Sequence, residues 1–231
     1  MKAVILAGGK GTRLRPYTTT IPKPLMPVGD KAILEIVLAQ MKKHGFTDIT
    51  LAVGHLSQLI EAYFSDGNRH GVKISYAHED EPLGTAGPLA NIKGLDEDFL
   101  AMNGDILTTL DYTKLMKAHK ASKAAATIAV NKRTVQVDYG VISTNARNEV
   151  EKYTEKPKLD YQVSMGVNIL SPRALKLIPK GKSFDVPDLI RALLAKGEKV
   201  LAYPSGDYWL DIGRPEDYAK AQEEFREEMF L

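Results

Sequence analysis

The chain contains no cysteine. Disulfide scaffolds, thiolate nucleophiles and cysteine-based zinc sites are therefore excluded, and nothing marks a secreted framework. Long apolar runs are missing too. None approaches the roughly 18 residues that cross a bilayer, and the N-terminal run Ala3-Val4-Ile5-Leu6-Ala7 stops at a glycine pair, too early for a signal peptide. Nor is there a large net charge: 31 Lys and Arg against 29 Asp and Glu leave +2 over 231 residues, so no global field points to nucleic acid or to a membrane surface. With 44% apolar and 26% charged residues, the composition is that of an ordinary globular protein expected in the cytoplasm. One absence is local. Residues 1–29 carry five Lys or Arg and no Asp or Glu.

Apolar periodicity predicts alternating strands and helices. Residues 3–7 read as a strand buried on both faces, and residues 8–29 lack regular structure because four prolines interrupt them. From Ala32 the pattern turns helical, with Ile33, Ile36, Val37, Gln40 and Met41 on one stripe and Gly45 as the stop. Strands follow at 49–53, 72–77, 99–102 and 124–130, with a helix N-capped by Ser57 and another over 112–121. After Val130 the rhythm changes to strands at 139–143, 150–153 and 163–170 with no long helix between them, which predicts antiparallel additions. Helices at 186–196 and 215–228 flank a strand at 200–203 and the run Tyr208-Trp209-Leu210. The expected fold is α/β: a Rossmann-like, mostly parallel sheet flanked by helices, with a small antiparallel lobe.

Gly8-Gly9-Lys10-Gly11-Thr12-Arg13 directly follows the first strand, where ligands bind on open α/β sheets. Glycines let backbone N–H groups approach a phosphate, and Lys10, Arg13 and Arg15 add charge. The pattern is neither a P-loop, since no Gly-Lys-Ser/Thr occurs, nor a dinucleotide fingerprint, since Leu14 stands where a third small residue belongs. A bare Gly-Gly would read as a surface turn. A 22-residue loop with four glycines, four prolines, five Thr or Tyr and four basic residues reads as functional.

GGKGTRLRPYTTTIPKPLMPV resembles the N-terminal signature of the sugar-1-phosphate nucleotidylyltransferases. The similarity continues at intervals through Leu83-Gly84-Thr85-Ala86, Asn103-Gly104-Asp105, Glu155-Lys156-Pro157 and Trp209-Leu210-Asp211-Ile212-Gly213. It implies that a sugar 1-phosphate attacks the α-phosphorus of a nucleoside triphosphate and pyrophosphate leaves. A phosphate monoester is already mostly dianionic at neutral pH, so no general base is needed. The five histidines (His44, His55, His70, His78, His119) accordingly stand in no evident relay with Ser or Asp.

The resemblance also implies roles. Arg13, Lys23 and Asp105 would be catalytic, Lys23 being held on a stiff extended segment between Pro22 and Pro24. Leu6, Ala7, Gly8, Gly9, Gly11, Thr12, Arg13, Gly84, Thr85 and Asn103 would bind the nucleotide. Gly140, Glu155, Lys156 and Asn168 would bind the sugar phosphate, while Asp105 and Asp211 would hold Mg²⁺. Taken alone, Asp105 reads as a turn residue, the Glu155-Lys156 pair as a solvated face and Trp209 as core rather than a pocket wall. One catalytic domain over 1–231 is expected, with a nucleotide half at about 1–130 and a sugar half at about 131–231.

Leu83 to Ala90 looks most like the mannose-1-phosphate guanylyltransferase branch, so GTP with mannose or heptose 1-phosphate is the expected pair. Glucose-phosphate relatives stay close, whereas Lys23 stands where thymidylyltransferases usually carry Gln. The chain runs only 18 residues past Gly213, so the β-helix domain of many relatives is not expected. Partners are the two substrates, with neither nucleic acid nor membrane, and a homo-oligomer stays open. Two other readings compete: transfer to another phosphorylated small molecule or from UTP or CTP, and a silent nucleotide-sugar-binding subunit. Retention of Arg13, Lys23, Asp105 and Asp211 favours catalysis.

Overall fold

A computed structural model describes residues 1–79 and 81–230. In chain order the elements are β1 (Lys2–Ala7), β2 (Pro27–Val28), β3 (Lys31–Ala32), α1 (Ile33–Lys43), β4 (Asp48–Val53), α2 (Ser57–Phe64), β5 (Lys73–His78), β6 (Phe99–Asn103), β7 (Ile106–Thr108) and α3 (Tyr112–Ser122). They continue with β8 (Ala126–Gln136), β9 (Val141–Thr144), β10 (Val150–Thr154), β11 (Lys158–Leu170), α4 (Pro172–Leu175), α5 (Val186–Ala195), β12 (Val200–Ser205), β13 (Trp209–Asp211), α6 (Pro215–Glu224) and α7 (Glu227–Phe230).

Seven strands form one sheet in the order β12-β8-β11-β6-β1-β4-β5. β6, β1, β4 and β5 run parallel, β12 is parallel to β8, and β11 is antiparallel to both its neighbours. The mostly parallel α/β sheet is thus present, and the change of rhythm after Val130 marks the approach of β11. Past Asn131, β8 pairs with β11 alone, and a two-stranded β9–β10 hairpin extends that ribbon into the small lobe. β7, which no periodicity announced, pairs antiparallel with β13. No helix among the described residues is long and apolar enough to cross a membrane.

Both faces of the sheet are covered. Ile33, Ile36, Val37 and Met41 of α1 are buried as their spacing predicts, each stabilising the core by about 1.5–3 kcal/mol. Glu35 accepts the Ala32 N–H at 2.8 Å to cap the first turn, and Gly45 follows the helix at φ 78.

Three local expectations change. Ser57 is the first helical residue of α2 rather than its N-cap, because Leu56, at φ 56, turns the chain in. Residues 8–29 hold three short 3-10 turns, and Lys23 opens one of them instead of lying on an extended segment. The long C-terminal helix breaks at Phe225. The break lets Phe225 pack against Gly29 and stack on Phe230 with centroids 5.6 Å apart, whereas an unbroken helix would turn those rings to different faces. Arg226 donates to the carbonyls of Glu223 and Phe225 at 2.9 and 2.7 Å, which satisfies groups freed by the break.

One histidine does meet a serine and an aspartate, though not as a relay. Buried His119 faces Ser171 Oγ at 3.1 Å and Asp98 at 3.5 Å through Nε2, and Thr127 Oγ1 at 2.8 Å through Nδ1. A nucleophilic triad places Ser and Asp on opposite ring nitrogens, whereas here both face Nε2 and Ser171 Oγ donates to the Ala124 carbonyl at 3.0 Å. The cluster ties α3 to β8 and β11. Burial holds His119 below its ordinary 6.5, with Asp98 opposing and Arg173 and Lys120 reinforcing. A base neutral in the fold stabilises fully above its unfolded value and loses that contribution as pH falls through it. Urea denaturation is therefore expected to show stability falling as pH drops from about 6.5 to 5, with a shallower fall in His119→Gln. Equal slopes in the two proteins would remove His119 as the cause.

Candidate active site

Strand order reverses between β1 and β6, and the carboxyl ends of such strands leave a crevice. The loop after β1, the turn after β6 and the ends of β4 and β5 enclose a cleft of about 860 Å³ there. All ten residues expected at the nucleotide line it: Leu6, Ala7, Gly8, Gly9, Gly11, Thr12, Arg13, Gly84, Thr85 and Asn103. Lys23 and Asp105 join them.

The loop after β1 is folded back on itself. Thr18 Oγ1 donates to the Gly11 carbonyl at 2.7 Å, and the Met26 N–H closes the Lys23 turn at 3.0 Å. The Lys23 ammonium thereby reaches Asp105 as an ion pair with both side chains largely buried, 11% and 22% exposed. The pair occupies Asp105 Oδ2. Among the described residues Asp105 Oδ1 is buried with no hydrogen-bond partner, a position that a further cation could serve.

Asp211 arrives from the other end of the chain. The β13–β7 ladder sets it opposite Ile106, and the Ile212 N–H donates to the Asp105 carbonyl at 3.1 Å. Partial burial of Asp211, and then the neighbouring Asp105 carboxylate, push its carboxyl above the ordinary 3.8, while Lys23 and Arg13 pull it down. Arg13 lies against Gly213, where an added Cβ would sit 3.4 Å from both terminal guanidinium nitrogens. Two acids and two bases from three segments therefore gather at the edge of the cleft, where Arg13, Lys23 and Asp105 line it and Asp211 stands beside them, outside the lining.

The opposite wall is the 83–87 turn. Gly84 stands at φ 77, and a side chain there would strike Asp185 and the Phe184 carbonyl. Asp185 Oδ1 accepts the Thr85 N–H at 2.8 Å and its hydroxyl at 3.0 Å, and Phe184 O accepts the Ala86 and Gly87 N–H groups at 2.9 Å. Asp185, ahead of α5 and 100 residues from Thr85, carries no local signal of this role. Glu79 was also missed. Its Oε2 accepts the Leu83 N–H at 2.9 Å, and its Oε1 lies 2.6 Å from where a Cβ on Gly8 would stand, so a side chain there would displace the carboxylate. Burial raises the Glu79 carboxyl above its ordinary 4.5, against the Leu83 hydrogen bond. In sequence, Glu79 opens an acidic run that reads as a solvated face.

The four residues expected at the sugar phosphate do not line this cleft. Glu155 is exposed and accepts the Tyr153 hydroxyl at 2.9 Å, and Tyr153 leaves no room for a side chain at Gly140. Lys156, at φ 44, is exposed on the same arm. Asn168 is buried in β11, between β6 and β8, with its Oδ1 unpartnered.

The family model described as nucleotidyl transferase matches residues 2–228. The chain belongs to that family. Within it, the chain is 37% identical to a UTP–glucose-1-phosphate uridylyltransferase of Synechocystis sp., covering 96% of this chain and 62% of that protein. It is 34% identical to a mannose-1-phosphate guanylyltransferase of Mycobacterium tuberculosis, covering 94% and 62% respectively. The chain thus spans a little under two thirds of these relatives. A crystal structure of HddC from Yersinia pseudotuberculosis complexed with GMP-PN has a TM-score of 0.74 at 28% identity and covers 97% of this chain and 99% of its own.

Among the described residues no group of three His, Cys, Asp or Glu able to hold a metal occurs. A divalent ion would draw two carboxylates from the protein and the rest from phosphate oxygens and water, the ligand set Mg²⁺ prefers. The unpartnered Asp105 Oδ1 fits that demand. Because Asp185 welds the 83–87 turn to α5, Asp185→Ala is expected to lower stability by about 1–2 kcal/mol in urea denaturation, with Asp185→Asn milder. An unaltered midpoint would show the turn to be held by Phe184 alone.

Proposed function

We propose that the protein joins a nucleoside triphosphate to a sugar 1-phosphate, giving a nucleotide-sugar and pyrophosphate, with GTP and mannose or heptose 1-phosphate as the pair. The observation that carries the reaction is the gathering of Arg13, Lys23 and Asp105 in the cleft lining with Asp211 close beside them. An oxygen of the sugar phosphate forms a bond to the α-phosphorus, the α–β bridging bond breaks, and its electron pair leaves with pyrophosphate. The nucleophile is already anionic, so the protein's task is to neutralise and align charge.

In this reading the backbone of residues 8–12 cradles the triphosphate, and Arg13 grips its oxygens as a fork. Lys23, with three donors, can serve Asp105 and a phosphate oxygen together. Asp105 and Asp211 would hold Mg²⁺, which when bound supplies charge neutralisation between phosphate oxygens. The nucleotide occupies residues 1–130 and the sugar the remainder, with Gly140, Glu155, Lys156 and Asn168 around it.

Glu79 supports the base. Guanine offers adjacent N1–H and N2–H donors, which a carboxylate accepts as a pair, whereas uracil and thymine offer one N–H between two carbonyls that a carboxylate repels. The guanylyltransferase relative and the GMP-PN complex of HddC are consistent with this choice. UTP is the competing nucleotide, on the name of the uridylyltransferase relative.

A matrix of four nucleoside triphosphates against several sugar 1-phosphates, followed by pyrophosphate release, tests the reading, with GTP expected to lead; no turnover with any pair would favour a silent subunit. Asp105→Asn should nearly abolish release and lower the thermal midpoint, since Lys23 loses its charged partner, while circular dichroism shows the fold intact. Glu79→Gln should lower kcat/KM for GTP by about ten- to a hundredfold, with little effect on UTP, since a charge-assisted pair is lost. Its thermal midpoint should hold or rise, because a carboxylate burial had disfavoured is gone.

A further inference from the structure

The sugar side of this reaction needs a cation of its own, because a dianionic nucleophile must approach a triphosphate that already occupies Arg13 and Lys23. Lys156, placed beside the sugar above, is exposed, and among the described residues its side chain makes no ion pair or hydrogen bond that fixes it toward the two aspartates. Arg133 is held by a stack instead. It projects from β8, and its guanidinium carbon lies 4.9 Å from the centroid of the Trp209 ring.

The stack is built rather than incidental. Trp209 donates its indole N–H to the Met165 carbonyl at 2.9 Å, which fixes the ring plane, and it packs against the core cluster with one part left accessible. Lys132 and Thr134, on the other face of β8, are both engaged by Asp160, at 2.8 and 2.6 Å. Among the described residues no carboxylate lies within 4.0 Å of Arg133, so its charge is unspent and its planar donors remain open. Trp209 and Asp211 are two residues apart on β13, hence on one face and about 6–7 Å apart along the strand. The seat of Arg133 therefore opens beside the carboxylate wall, on the lobe side.

We propose that Arg133, braced on Trp209, receives the phosphate of the sugar 1-phosphate and holds it beside Asp211. The inference rests on the sugar-phosphate reading of the reaction, but the seat itself is testable without turnover. Trp209 is the only tryptophan of the chain, so its emission reports on the guanidinium above it. Drawing Arg133 onto a phosphate changes that emission, while the nucleotide alone changes it little.

The experiment titrates tryptophan fluorescence with mannose 1-phosphate, glucose 1-phosphate and inorganic phosphate, in the wild type and in Arg133→Ala, Arg133→Gln and Arg133→Lys. A saturable response to sugar 1-phosphate is expected in the wild type, lost in the Ala and Gln variants and partly retained in Lys. With a turning-over pair, Arg133→Ala should raise KM for the sugar 1-phosphate about ten- to a hundredfold, leaving KM for the nucleotide and kcat within about threefold. Lys132→Ala, which changes the opposite face, should match the wild type in both readouts. Unchanged KM with an unchanged fluorescence response in Arg133→Ala would overturn the inference. If no pair turns over, the reaction reading fails, yet loss of the phosphate-induced signal in Arg133→Ala still upholds an anion seat, and its persistence rejects it.

Discussion

The site depends on one ion pair, Lys23 with Asp105, formed across 82 residues of chain and largely shielded from water. An acid-free loop beside two aspartates is an arrangement the sheet must impose, since neither set of charges is at ease alone. Lys23 would lose hydration without a partner, and Asp105 beside Asp211 would meet another carboxylate. Their pairing balances the wall, and the bare Oδ1 of Asp105 leaves it one ligand short of neutral closure.

The loop that carries Lys23 is held from outside by the chain's C-terminal segment. Pro27 O accepts Tyr218 Oη at 2.7 Å and Gln222 Nε2 at 2.6 Å, while Gln222 Oε1 accepts the Gly29 N–H at 3.2 Å. Tyr17 lies against Tyr218, Phe225 packs on Gly29, and Lys31 pairs with Glu227 at 3.2 Å. The same α6 begins just after Asp211, with Asp217 accepting the Gly213 and Arg214 N–H groups at 3.2 and 2.9 Å. One helix thereby couples the position of an aspartate to that of the loop opposite it. The break at Phe225 follows from the same demand, since a straight helix would carry Phe230 away from Gln40, whose amide donates to the Phe230 carbonyl at 3.3 Å.

In the proposed reaction the two halves of the molecule would meet different demands. The parallel half presents backbone, small residues and fixed charge at strand ends, which suits a triphosphate. The lobe is an antiparallel ribbon with exposed aromatic side chains, Tyr139, Tyr153 and Tyr161 among them. Edges and faces of that kind suit a neutral ring with hydroxyls, and Trp209 with Arg133 lies where ribbon and sheet meet.

By itself the sequence determined the strand–helix rhythm, the stripe of α1 and the acid-free loop after β1, because periodicity, proline and glycine act locally. Its motifs also singled out Arg13, Lys23, Asp105 and Asp211, although nothing local says that they meet. Glu79, Asp185 and Arg133 escaped notice because each looks like an ordinary surface charge until a distant segment gives it a partner: Gly8 and Leu83, Thr85, and Trp209. Likewise Ser57 lost its capping role to the backbone of Leu56, and His119 gained Ser171 and Asp98 from strands and loops far along the chain. Spacing along a chain reports which face a side chain takes on its own element. Which group stands across from it is decided by sheet order and register, and those belong to the tertiary structure alone.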